Sequence, residues 1–376
     1  MVSIKDLITK TALALTLLAP SNINDVQADI KPITHTSETQ KERDNEDNEN
    51  IEKIYLTSCI NNGTCSNNSK DVRLEDKVTL NLVGESHDDN GRIYFSEINN
   101  IEINGEKIES NKVRPWDKRN KLVRWYKIEP KDTNYNNLTF GRFAWDTPNY
   151  KETFIEKNTF IIKADAKPTN NFDNTGFGTM RFKVEFLGDN KFFSTPGKES
   201  VDKQGITEKV QRISFREDDT LLGWLKSYFN VPYIYGSAGK QPDNYIGADC
   251  ADLVVAAYKK ANKLKTNYTN AAGLVKLSKK TIDQSEIYTD GKNFYHKDKL
   301  LRFGENVNEG DLMLFGKDHI WHVGVLSKDK SDPEGINKGN SDKILNIYDS
   351  MIHTLFDQPI EENFVKYGTF SIAKLK

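Results

Sequence analysis

Between Ile54 and Phe215 apolar and polar residues alternate with a period of two, and near Asp218 that period gives way to spacings of three and four. No other feature limits the fold as strongly. In the alternating stretch Val78, Leu80 and Leu82 interleave with Thr79 and Asn81, and Phe182, Val184 and Phe186 interleave with Lys183 and Glu185. Ile93-Tyr94-Phe95, Ile101-Glu102-Ile103 and Phe160-Ile161-Ile162 are shorter strand candidates, separated by turn signals at Asn90-Gly91, Asn104-Gly105 and Gly188-Asp189-Asn190. Many short, half-buried strands joined by such turns predict an antiparallel sandwich or barrel. His87, Asp88 and Asp89 precede Asn90-Gly91 and read as turn residues rather than a metal corner. The stretch carries no convergent set of acids, histidines and a nucleophile, which suits recognition or spacing better than chemistry.

Beyond Asp218, Asp219-Thr220 is placed to cap a helix carrying Leu221, Leu222, Trp224, Leu225 and Tyr228, with Asn230, Pro232 and Gly236 ending it. A second apolar helical run extends from Cys250 to about Asn262. Short strands are expected around residues 312–315, 323–326, 344–348, 352–355 and 370–373. Helices followed by an antiparallel sheet predict an α+β domain over residues 216–376, behind a β-rich accessory domain over residues 53–215.

The chain has 376 residues, enough for two domains. Lys5 and Lys10 flank the apolar run Ala12–Ala19, and Val26-Gln27-Ala28 supplies a small-residue cleavage site. That order predicts a secretory signal peptide over residues 1–28. Residues 29–52, with Glu42-Arg43-Asp44-Asn45-Glu46-Asp47 at their centre, are too polar to order themselves and read as a flexible linker. No apolar run approaches the length of a membrane span, so a secreted or periplasmic, envelope-associated protein is expected. A formal net charge of -2 gives no argument for a nucleic-acid partner.

Export gives the three cysteines meaning. Cys59 and Cys65 bracket Asn61-Asn62-Gly63, a turn that lets their sulfurs meet, and an oxidising compartment favours a disulfide there. Two cysteines with no histidine nearby are a poor zinc site. Cys250 is then left unpaired, and a leftover thiol in an exported chain is a candidate nucleophile. With Asp249 as cap, Cys250 would occupy the first turn of its helix, where the dipole and unsatisfied amides lower a thiol pKa and can hold an oxyanion. His322, ahead of Val323-Gly324-Val325, is the best candidate base. His353, in Asp349-Ser350-Met351-Ile352-His353-Thr354, is the candidate to orient that base. His319 sits in a polar turn and is expected to face solvent.

These motifs resemble the NlpC/P60 cysteine peptidase family. The resemblance is carried by Pro232-Tyr233-Ile234-Tyr235-Gly236-Ser237, Asp249-Cys250-Ala251-Asp252-Leu253-Val254, Gly310-Asp311-Leu312-Met313-Leu314-Phe315 and His322-Val323-Gly324-Val325, and covers about residues 216–376. It implies a papain-like α+β core with Cys250 as nucleophile, His322 as base, His353 as the third polar residue and Tyr233 lining the substrate site. It also implies amide hydrolysis in peptidoglycan stem peptides or crosslinks; thiolate, imidazole and oxyanion donors suffice for that chemistry, so no metal or organic cofactor is expected. The chain departs from the family where Ala251-Asp252 replaces the usual Ser-Gly after the cysteine, and where a polar insert, Ser327–Lys343, is expected as a loop at the active-site rim. The first half does not match the wall-binding domains that often accompany the family, and its wall or protein ligand is open. Two alternatives keep the same residues: an acyltransferase or deamidase acting on a protein or lipid, and a non-catalytic envelope-binding protein.

Overall fold

In a computed structural model of the chain, the alternating stretch folds into two large sheets that share one core, together with two two-stranded ribbons. The structure describes residues 50–131, 136–139, 142–145, 147–168, 176–188, 190–237, 239–262 and 267–376. The expected signal peptide and nearly all of the expected linker lie outside the described residues. The linker's last residues already belong to the fold, because Ile51 is buried in the core.

The first sheet is built on strands Lys53–Ile60 and Val78–Asp88, which pair antiparallel from Lys53↔Glu85 to Ile60↔Val78. The second is built on Leu122–Pro130 and Gly178–Gly188, with Tyr150–Lys157 on one flank and Gln211–Arg216 on the other. Leu80 and Leu82 from one sheet meet Trp125, Phe182, Val184 and Ile213 from the other in a single buried cluster. Each such side chain contributes roughly 1.5–3 kcal/mol when withdrawn from water. Trp116 fills the centre, its ring 5.0 Å from Phe160 and 5.1 Å from Phe186, with Nε1 donating to the Leu82 carbonyl at 3.1 Å. Gly84 makes this fit, since a Cβ there would lie 2.4 Å from the Trp116 ring. Pairing is not wholly antiparallel, because Lys70–Arg73 runs parallel to Gln211–Arg216.

Cys59 and Cys65 form a disulfide across the turn, where Asn61 and Asn62 hold φ of 51° and 62°. Asparagine tolerates that left-handed backbone better than most residues. His87 and Asp88 are taken up locally, His87 Nδ1 by Glu52 at 3.0 Å and Asp88 by Arg114 at 2.6 Å.

The expected papain-like α+β fold class is corrected by the structure, which is mostly β. Among the described residues the α-helices have only 6, 4, 13 and 7 residues, too few to form a helical layer comparable with the sheets. The reasons are local. Thr220 caps the first helix as expected, its hydroxyl accepting from Gly223 N at 3.2 Å, but the helix ends at Lys226 and Tyr228 lies beyond it. The Ala271–Leu277 helix passes directly into a strand at Ser278. Residues 287–300 form a small three-stranded sheet.

What dominates is a six-stranded antiparallel sheet. Its order is Ser278–Ile282, Phe370–Leu375, Leu312–Phe315, His322–Lys328, Ser350–His353, Ile360–Asn363. Residues 344–348, expected as a strand, make only isolated bridges. The insert 329–343 leaves its strand at the end opposite His322, roughly 20 Å away at the usual rise per residue. It is held there by Asp329, which accepts from Lys343 N at 2.9 Å, and by Asp349, which accepts from Lys330 N at 2.7 Å. The expectation of a rim loop therefore fails.

Residues Glu49–Lys376 form one compact unit. Thr179 N donates to the Phe229 carbonyl and Asn230 Nδ2 to the Thr179 carbonyl, both at 2.9 Å, which ties the strands of the first half to the second. No helix among the described residues is long and apolar enough to cross a membrane.

Candidate active site

Among the described residues Cys250 opens the one helix longer than two turns, Cys250–Asn262. Asp249 caps it, Oδ1 accepting from Ala251 N at 3.0 Å and Asp252 N at 2.9 Å, while Oδ2 accepts from Gly236 N at 3.1 Å. The helix buries Leu253, Val254 and Ala257 against Leu314, Val323 and Val325 of the sheet. This packing brings half-buried Cys250 up to Val323, whose backbone amide pulls the thiol pKa down. The thiol thus stands beside the residue that follows His322.

His322 begins its strand opposite Phe315 and is fully buried. Its ring stacks with Phe315 at 5.7 Å and with Trp321 at 5.5 Å. His353 ends the neighbouring strand, and its Nδ1 lies 3.1 Å from His322 Nε2. Gly324 leaves room for this contact, because a Cβ there would come within 2.3 Å of Met351 Sδ and 3.3 Å of His353 Cβ. The relay continues beyond the expected residues. His353 Nε2 lies 2.8 Å from Glu362 Oε1, Tyr367 donates to the same oxygen at 2.6 Å, and Lys366 pairs with Glu362 Oε2 at 2.6 Å.

These partners assign the protons. His353, Lys366 and Tyr367 hold the Glu362 carboxyl down at about 2 against its partial burial, so it is an acceptor at neutral pH. The contacts fit a tautomer in which His353 Nε2 donates to the carboxylate and His353 Nδ1 accepts from His322 Nε2, which leaves His322 Nδ1 as an acceptor. That Nδ1 is buried and has no hydrogen-bond partner among the described residues.

The charges of the resting site differ from expectation. Burial, then the Asp249 carboxylate, pushes the Cys250 thiol up to about 12, against the pull of the Val323 and Ala251 amides. Burial and His353 push His322 down to about 3. Thiol and imidazole are both neutral at pH 7, so the helix start does not by itself produce a thiolate. The expected oxyanion donors are also reduced, since the Ala251 and Asp252 amides are occupied by the Asp249 cap.

Tyr233 is buried beside Cys250, bridged to Ala248 and 5.5 Å from the Phe356 ring, and burial followed by Cys250 and Asp249 raises its hydroxyl pKa well above the usual range. Asp252 accepts from the Ser237 hydroxyl at 2.9 Å, and burial next to Asp249 pushes its carboxyl up to about 8. The structure therefore gathers Cys250, His322, His353, Tyr233 and Asp249, while His319 stays exposed and apart. Sequence reasoning missed Glu362, Tyr367 and Trp321. Glu361 and Glu362 are adjacent on an edge strand, and only the register Met351↔Glu362 decides which one reaches His353. Among the described residues no group of acids, histidines and cysteines is arranged to hold a metal ion.

No family model matches this chain and no curated protein matches it, so the family resemblance rests on the motifs themselves.

Proposed function

We propose that the chain is an exported cysteine hydrolase that cleaves amide bonds in peptidoglycan stem peptides or crosslinks, as its NlpC/P60-like motifs suggest. The observation that carries this reading is the bare, buried Nδ1 of His322 next to a half-buried thiol. A fixed lone pair at that place has little structural use, and a general base needs one. No hydrogen bond joins it to the thiol in the free chain, and such contacts commonly tighten only around substrate. In the reaction Cys250 Sγ attacks the carbonyl carbon as His322 Nδ1 takes the thiol proton. The imidazolium then gives that proton to the leaving amine as the C–N bond breaks. Water, deprotonated by the same nitrogen, hydrolyses the thioester and releases the carboxylate. Phe315 and Trp321 hold the imidazole plane throughout. The disulfide in the first half is in keeping with an oxidising compartment.

Digestion of purified peptidoglycan, with mass spectrometry of the released muropeptides, tests the reading. The native chain should release new amino termini, and Cys250→Ala and His322→Ala should release none. Identical fragments from native and Cys250→Ala protein would sink it. A thioester exchanged to an added amine instead of water would favour acyl transfer.

A further inference from the structure

Where the two halves meet lies a cavity of about 160 Å³, walled in part by Asn68, Ser69, Arg181, Thr207, Arg212 and Asn244. Its polarity is one-sided. Arg181, on the strand Gly178–Gly188, is only 2% exposed. Among the described residues its guanidinium makes one hydrogen bond, from Nη2 to the Tyr245 carbonyl at 2.5 Å, and lies 6.0 Å from the Tyr150 ring centre. No carboxylate of the described residues pairs with it.

Arg212, 8% exposed, lies close enough to repel it. Arg212 does have a counter-ion, Asp71 at 2.6 Å, but Asp71 also serves Lys260 at 3.0 Å. Asp71 is therefore shared between Arg212 and Lys260, and Arg181 is left without a carboxylate partner among the described residues. Glu208 stands exposed at the wall with Oε1 accepting from Asn244 Nδ2 at 2.8 Å, so it does not reach inward to neutralise Arg181. Thr207 Oγ1 is buried and has no hydrogen-bond partner among the described residues.

An isolated buried charge is expensive, and a guanidinium with most of its donors uncommitted is costlier still. Tyrosine rings soften this cost but do not supply a counter-charge. We infer that this cavity binds a small oxyanion, a phosphate monoester or a carboxylate, with Arg181 as its principal ligand and the Thr207 hydroxyl as a further donor. The planar fork of Arg181 matches two oxygens of either group, and the cavity volume suits a group of that size. Tyr245, whose carbonyl Arg181 holds, lies five residues before Cys250, so an anion here would also brace the loop leading to the thiol.

The test is titration of the mature chain with inorganic phosphate and, separately, with acetate at constant ionic strength, read by calorimetry and by Tm. One of the two should bind saturably and raise Tm where chloride does not, and the one that binds identifies the group. Arg181→Met should weaken that binding roughly tenfold or more, the order of a lost charge-assisted pair. Ser69→Asp keeps both arginines and places a negative charge on the wall, so it should abolish binding even if the arginine variant does not fold. Absence of saturable binding of either anion to the native chain, or undiminished binding to Ser69→Asp, overturns the inference.

Discussion

His353 faces His322 with one ring nitrogen, at 3.1 Å, and Glu362 with the other, at 2.8 Å. When His353 Nε2 donates to the Glu362 carboxylate, the lone pair falls at the other end, on His322 Nδ1. Burial of both histidines keeps water from supplying alternative partners. The lone pair on His322 is thus linked to Glu362, a residue on an edge strand that reaches the imidazole only through His353.

Replacing Glu362 by Gln tests that chain. The amide can donate to His353 Nε2, which would free the other tautomer and leave His322 Nδ1 protonated. On the proposed hydrolysis, kcat should fall about tenfold or more with KM little changed, as expected when a base loses its orienter. Steady-state kinetics on a muropeptide substrate would decide, and an unchanged kcat removes Glu362 from the relay.

The thiol should alkylate slowly in the free chain. With Cys250 pushed up to about 12, iodoacetamide labelling should be slow at pH 7 and still rising above pH 10. Asp249 and Asp252 both add to that shift, so Asp252→Asn should speed labelling at pH 9 while leaving the Asp249 cap intact. Labelling that reaches a plateau below pH 8 would show a resting thiolate and contradict the neutral pair.

Asp349 predicts a direction for stability against pH. Burial pushes its carboxyl up to about 8, although Lys330 N and Asn346 N both donate to it. An acid whose folded pKa is raised favours folding fully below its unfolded value near 4, and that contribution is lost as pH rises towards 8. Melting curves should show Tm falling between pH 5 and pH 9, and Asp349→Asn should flatten the fall. An equal slope in the variant would show that other groups set it.

Breaking the disulfide should cost stability without disturbing the thiol site. The loop from Cys59 to Cys65 is short, and closing a loop of this length is worth roughly 2 kcal/mol. Urea denaturation of a Cys59→Ser, Cys65→Ser double variant should show a lower midpoint. Cys250 labelling in the folded variant should match the native chain, and a changed labelling rate would reveal coupling between the halves.

Much of the local structure was legible because it depends on near neighbours. The helix Cys250–Asn262 begins and ends where its apolar spacing and Asp249 cap indicated. The strand Leu312–Phe315 is likewise placed by four consecutive apolar residues. The short helix at Leu221–Lys226 was legible only at its start, because Thr220 marks a beginning and nothing nearby marks the end before Ser227. The fold class of the second half was misread because helical spacing was weighed without length. Six- and seven-residue helices carry the same pattern as long ones but cannot form a layer of their own.

By itself, the sequence determined which residues are chemically able to act: an unpaired Cys250, the histidines His322 and His353, and a cysteine pair close enough to join. It also determined where the backbone changes period, since that depends on side chains two to four residues apart. Only the tertiary structure decided the charge state of the site and the end of its relay. Burial and the placement of Asp249 raise the thiol pKa against the helix dipole, and strand register selects Glu362 over Glu361. Both effects come from groups brought together across the fold, and their strength depends on how much water the packing excludes.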